Sequence, residues 1–111
     1  MIINSVVIGA GIGLKHVEAI NSVLNTKVIA ICEKNYTKRQ LLKKRFKKIK
    51  ILSDYKNIFD LKRKVNLISI ASYDSDHFDQ IKSLSNICKN FIIEKPIVTT
   101  PSELIRLRNI V

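Results

Sequence analysis

Val6-Val7-Ile8-Gly9-Ala10-Gly11-Ile12-Gly13, with Glu33 closing the next apolar run, is the stretch that decides how this chain folds. An apolar strand that breaks into glycines and then becomes an amphipathic helix suits a dinucleotide pyrophosphate. The first glycine permits a tight turn, and the second lets backbone approach phosphate. The helix N-terminus adds unpaired N–H donors at a positive dipole end. Glu33 stands 24 residues after Gly9, close to the ~20 expected of an acid that bonds an adenosine ribose.

Outward from this turn, strand and helix alternate. Ile3–Ile8 reads as a strand buried on both faces. Leu14, Val17, Ile20 and Leu24 recur at helical spacing, which places a helix over Gly13–Leu24, closed near Asn25. Val28–Cys32 is apolar throughout and reads as the second strand. Over Tyr36–Lys48, Leu41, Leu42, Phe46 and Ile49 share one helical face, and lysines and arginines cover the rest. Ile49–Leu52 reads as a short strand near a sheet edge, and Asp54 as the cap of a short helix through Leu61. Val65–Ala71 is a further core strand. Ser75 or Asp76 then caps a helix over Asp76–Ile87, with Phe78, Ile81, Leu84 and Cys88 facing inward. Phe91–Ile93 is a strand that Pro96 stops. Pro101 opens a last helix with Ser102 as N-cap and Leu104, Ile105, Leu107 and Val111 apolar. The pattern implies an α/β, Rossmann-like, doubly wound parallel sheet of about five strands with helices on both faces. Gly9–Gly13, Glu33, Ala71–Asp74 and Glu94–Lys95 all follow strands, so four segments converge on one carboxyl edge.

A length of 111 residues is that of one domain with one core. No repeat or low-complexity tract is visible, the start lacks the pattern of a signal peptide, and no apolar run is long enough to span a bilayer. Cys32 and Cys88 read as buried, reduced thiols of a cytoplasmic protein, and no metal site is visible. The net charge of +11 is uneven: residues 34–64 hold thirteen of the twenty basic side chains and two acids, Asp54 and Asp60. Such a stripe attracts nucleic acid or another polyanion. A solvated helix face in a lysine-rich chain accounts for it as well, and along the Lys38–Lys50 and Lys62–Lys64 stripe only Tyr36 and Phe46 are at hand to stack on bases.

Gly9-Ala10-Gly11-Ile12-Gly13-Leu14-Lys15-His16, Cys32-Glu33, Ile70-Ala71-Ser72-Tyr73-Asp74-Ser75-Asp76-His77 and Glu94-Lys95-Pro96 together resemble the cofactor domain of the Gfo/Idh/MocA oxidoreductases. The resemblance runs along essentially the whole chain, and the Glu-Lys-Pro step is its specific part. It implies a nicotinamide dinucleotide, NAD or NADP, as cofactor and a sugar, polyol or related metabolite as substrate. It implies that Lys95 reaches the oxygen on the reacting carbon, where an ammonium steadies developing charge. It places Glu94 along the nicotinamide side and Ala71–His77 near the nicotinamide and its ribose. The chain departs from the family in three places. Only Ile12 separates Gly11 from Gly13, so the turn is one residue short. Ser72-Tyr73-Asp74 stands where Thr-Pro-Asn is common. Val111 comes directly after the first helix beyond Glu-Lys-Pro, so the expected composition is residues 1–111 as the NAD(P)-binding domain alone, a truncated copy or stand-alone remnant without the substrate domain.

The expected cofactor contacts are Gly9, Gly11, Ile12, Gly13, Glu33, Lys34, Ala71, Ser72, Tyr73, His77 and Glu94, and the expected catalytic group is Lys95. A carboxylate at Glu33 favours NAD over NADP, and Lys34, Lys38 and Arg39 work against that preference. His16 and His77 each read first as polar residues near helix N-termini. Whether these residues transfer hydride by themselves is left open, since catalysis needs both reactants fixed at contact distance. Completion of the site by a partner chain or second copy is also left open. The competing expectations are a small basic module on nucleic acid or another polyanion, and a regulatory subunit docking through Leu107–Val111.

Overall fold

The computed structural model describes residues 1–110, apart from the side chain of Asp74. Five strands, β1 (Ile3–Ile8), β2 (Thr26–Cys32), β3 (Lys50–Leu52), β4 (Leu67–Ile70) and β5 (Phe91–Ile93), alternate with four helices. The helices are α1 (Gly13–Asn21), α2 (Tyr36–Arg45), α3 (His77–Leu84) and α4 (Pro101–Ile110), and a 3-10 helix covers Tyr55–Asp60. Every strand pair is parallel, in the order β3-β2-β1-β4-β5. The chain winds outward from β1 to β3, then returns to lay β4 on the other side of β1. The switch point therefore lies beside β1, where a doubly wound sheet opens a crevice beyond its carboxyl ends.

Pleating explains why β1 is apolar at successive positions. Val6 and Ile8 face one side, in a cluster with Ile68, Ile70, Ile81 and Leu84; Val7 faces the other, with Val17, Ile20, Ile31 and Leu42. α1 and α2 cover the second face, and α3 with the 3-10 helix covers the first. Both faces are thus dry, and Val6, Val7, Ala30, Ile31, Ile68 and Ile70 are fully buried. The β1–β2 register shifts between Ser5 and Val6.

Several boundaries differ from expectation. α1 ends at Asn21 because the chain turns through Asn25, whose φ of 63° no helix continues, and Leu24 is exposed. α2 ends at Arg45, with Leu42 buried and Leu41 exposed. Asn35 caps α2 by accepting from the Lys38 N–H. Asp54 caps the 3-10 helix through a capping box with Asn57. α3 ends at Leu84, so Cys88 lies beyond the helix although it stays buried. Ser102 is not the cap of α4. Thr100 Oγ1 accepts from the Glu103 N–H, and the Glu103 carboxylate accepts from Thr99 N–H and hydroxyl. A cap must precede the first helical turn, and Ser102 already lies inside it. Leu107 packs against the core while Leu104 and Ile105 are exposed, so the expected apolar patch is displaced toward the start of α4. Val111 lies outside the described residues.

Candidate functional site

Backbone hydrogen bonds carry the strand ladder one residue past each strand end. Gly9 N–H donates to Cys32 O, Ala71 N–H to Ile8 O, Glu33 N–H to Leu52 O and Glu94 N–H to Ile70 O, all at 2.8–2.9 Å. The residues after β1, β2, β4 and β5 are thereby set side by side along one edge. A cleft of about 180 Å³ opens there.

The glycines of the turn have three different reasons. Gly9 has φ +94°, and a Cβ on it would lie 2.5 Å from the Ala71 carbonyl oxygen, so β1 and β4 close together only over glycine. A Cβ on Gly13 would meet Val7 Cγ1 at 3.0 Å, because α1 starts directly against β1. Gly11 has nothing within 4 Å of its Cβ position. No contact within the protein requires glycine there, and Gly11 lines the cleft.

α1 begins at Gly13 without a side-chain cap, Ile12 occupying the cap position. Gly9 N–H is spent on Cys32 and Ala10 N–H on Glu33 Oε1 (3.0 Å); Leu14 and Lys15 N–H turn back onto Gly11 and Ile12. The N–H groups of Gly11, Ile12 and Gly13 have no acceptor among the described residues. An uncapped N-terminus preceded by an open glycine suits an anion held by backbone N–H groups. The second oxygen of Glu33 accepts from Asn35 N–H at 2.8 Å. The carboxylate is therefore anchored at both oxygens, at the end of β2 and against the turn. Arg39 does not reach into the cleft, because its Nη1 donates to the carbonyls of Glu33 and Lys34 at 2.9 and 2.6 Å.

Of the residues expected from sequence, Gly9, Gly11, Glu33, Lys34, Ala71, Ser72 and Tyr73 line the cleft. Ile12, Gly13, His77, Glu94 and Lys95 do not. Ile12 is exposed beside the cleft, and Gly13 is buried under α1. His77 is fully buried: Nδ1 lies 2.7 Å from Pro96 O and Nε2 lies 3.0 Å from Ser72 O, so both ring nitrogens face backbone. Lys95 is exposed just past β5. The cleft also includes Cys32, Lys38, Ser53, Tyr55, Asp76 and Gln80. Ser53 and Tyr55 were hidden in sequence because they come after the edge strand β3, whose end reaches the cleft only through its pairing with β2. Gln80 accepts from the Ser72 hydroxyl at 2.6 Å, and Lys34 pairs with Asp76 at 3.3 Å across the cleft. Burial, with a smaller push from the Asp54 charge, raises the Cys32 thiol to about 12, so it remains protonated and unreactive at neutral pH.

The family model described as the oxidoreductase family GFO_IDH_MocA, NAD-binding Rossmann fold, matches residues 3–111. The chain belongs to the Gfo/Idh/MocA oxidoreductase family. It carries that family's NAD-binding Rossmann fold. Among solved structures it is similar to an NAD-binding protein from Listeria innocua, at 23% identity and a TM-score of 0.84, covering 99% of this chain and 32% of that one. A myo-inositol dehydrogenase from Lactobacillus casei, solved with NAD(H) and myo-inositol, matches at 18% identity and 0.86, covering 99% and 33%. A scyllo-inositol dehydrogenase from the same organism matches at 21% identity and 0.87, covering 98% and 32%. The chain thus spans about a third of the length of these structures. Comparison with curated proteins finds no match. Among the described residues, no helix is long and apolar enough to cross a membrane.

Proposed function

We propose that this Gfo/Idh/MocA domain holds NAD along the carboxyl edge of its sheet, with NADP as the weaker ligand. Gly9, Gly11, Ile12 and Gly13 receive the diphosphate, Glu33 and Lys34 the adenosine ribose, and Ala71, Ser72 and Tyr73 the middle of the molecule toward the nicotinamide. Glu94 and Lys95 stand at the far end, with Lys95 meeting the substrate oxygen. His77 takes no part in contact, since both its ring nitrogens face carbonyls. The cleft is smaller than the ~300–1,000 Å³ of a closed ligand pocket. It therefore encloses one portion of a dinucleotide while the rest lies along the open edge.

The observation that carries this reading is the anchored Glu33 carboxylate beside three N–H groups of an uncapped, open turn. The cofactor supplies hydride transfer, and this chain's residues bind and orient it. The whole protein's reaction is oxidation or reduction of a sugar, polyol or related metabolite. Its second wall comes from residues beyond these, from a partner chain or from a second copy. The two free, buried cysteines fit a cytoplasmic setting.

NADH fluorescence titration of the purified chain tests the binding. Saturable binding that falls in Glu33→Ala, more for NADH than for NADPH, is the expected result. No saturation at millimolar cofactor overturns the reading.

A further inference from the structure

Two histidines, far apart in sequence, converge on the three residues around Lys95. His16, in the first turns of α1, lies with Nε2 2.6 Å from Glu94 Oε1, while its Nδ1 meets Ser69 Oγ inside β4. A carboxylate only accepts, so the proton sits on Nε2 and the Ser69 hydroxyl donates to Nδ1. Ser69 is fully buried and the His16 side chain is 15% exposed, against 41% for Glu94. The hydrogen-bonded chain therefore runs from the sheet interior outward to the end of β5. On the other side of Lys95, the buried His77 ring lies between Pro96 O and Ser72 O. Glu94 is held by its side chain and Pro96 by its carbonyl, while Lys95 between them is exposed and its side chain has no hydrogen-bond partner among the described residues.

We propose that His16 and His77 are positioning residues that fix the Glu94–Lys95–Pro96 step against the end of β4, and so set where the nicotinamide half of the cofactor rests. The physical logic is preorganisation. β5 has three residues, and its ladder ends one residue beyond, at Glu94 N–H on Ile70 O, so the ladder alone does not hold Lys95 and Pro96 or the Glu94 side chain in place. Side-chain bonds from α1 and α3 take over where the ladder stops, as supporting hydrogen bonds do when they lock a functional group. This also accounts for a serine in the otherwise apolar β4: Ser69 orients the His16 ring.

The inference rests on the proposed dinucleotide site, and two ligands separate the two claims. NADH carries the nicotinamide; ADP-ribose carries the adenosine, diphosphate and second ribose without it. Calorimetric titration of the whole chain with each ligand is compared between wild type, His16→Ala and Ser69→Ala. His16→Ala should weaken NADH about tenfold and leave ADP-ribose within about twofold, because the lost His16–Glu94 bond supports only the nicotinamide end of the site. Ser69→Ala keeps the His16–Glu94 bond and guards against a folding defect; it should weaken NADH about threefold with the same ADP-ribose insensitivity. Equal losses for both ligands, or none for NADH, overturn the positioning role while the dinucleotide site stands. A wild-type chain that binds neither ligand overturns the site and the inference together.

Discussion

Gly11→Ala separates a glycine kept for packing from one kept for a ligand. The added methyl meets no atom within 4 Å, and the φ of Gly11 lies outside the left-handed region. The folded state therefore tolerates alanine, and the unfolded chain loses freedom, which stabilises by up to about 1 kcal/mol. For a domain near 100 residues that is a Tm unchanged or raised by up to about 4–8 °C. Ligand binding should behave oppositely. A phosphate oxygen accepting from a turn N–H at about 2.9 Å leaves no room for a methyl carbon beside it. NADH affinity should fall at least about tenfold, or about 1.4 kcal/mol. Gly9→Ala is the control with the other signature. Its Cβ would lie 2.5 Å from the Ala71 oxygen at φ +94°, at a cost of at least about 2–4 kcal/mol of stability. Thermal unfolding by circular dichroism and NADH fluorescence titration read both effects. Unchanged NADH binding in Gly11→Ala, or a Tm loss as large as that of Gly9→Ala, would refute the assignment of Gly11 to phosphate.

Ser5 is fully buried, and its Oγ has no hydrogen-bond partner among the described residues. Ser5→Ala should therefore stabilise by about 1 kcal/mol, read as a higher midpoint in urea. Cys32, raised to about 12 by burial, should resist alkylation in the native chain and react only on unfolding. Its thiol ionises in the unfolded chain near 8.5, so between there and 12 the unfolded state binds fewer protons. Stability should fall with rising pH across that window and recover in Cys32→Ala after allowance for lost packing. Glu103 is held below the usual carboxylate range, first by the Thr99 N–H and also by the Thr99 hydroxyl, the Thr100 contact and Arg106. The start of α4 should accordingly lose protection from amide exchange as pH drops through the lowered value. Glu103→Gln should flatten that dependence.

The strand-turn-helix opening was legible because it rests on local rules. Glycine tolerance, apolar runs and the 3.6-residue period act within a few neighbours, and they placed five strands and a parallel sheet. Element ends were less legible, since competing local bonds set them. Asn25 in the left-handed region shortened α1, and Thr100 rather than Ser102 capped α4. The reading of His16 and His77 as simple polar residues near helix starts missed their partners. Ser69, Glu94, Ser72 and Pro96 lie 53, 78, 5 and 19 residues away in the chain.

By itself, the amino-acid order determined which segments bury both faces, where the chain must turn, and that a glycine-rich bend comes after the first strand with an acid after the second. Tertiary structure alone decided that Glu33 is braced on Ala10 and Asn35, that Ser53 and Tyr55 join the cleft, and that two histidines grip either side of Lys95. Periodicity encodes which way a side chain points relative to its own element. Which distant atom it then meets depends on strand order and register, which are set only when the whole sheet assembles.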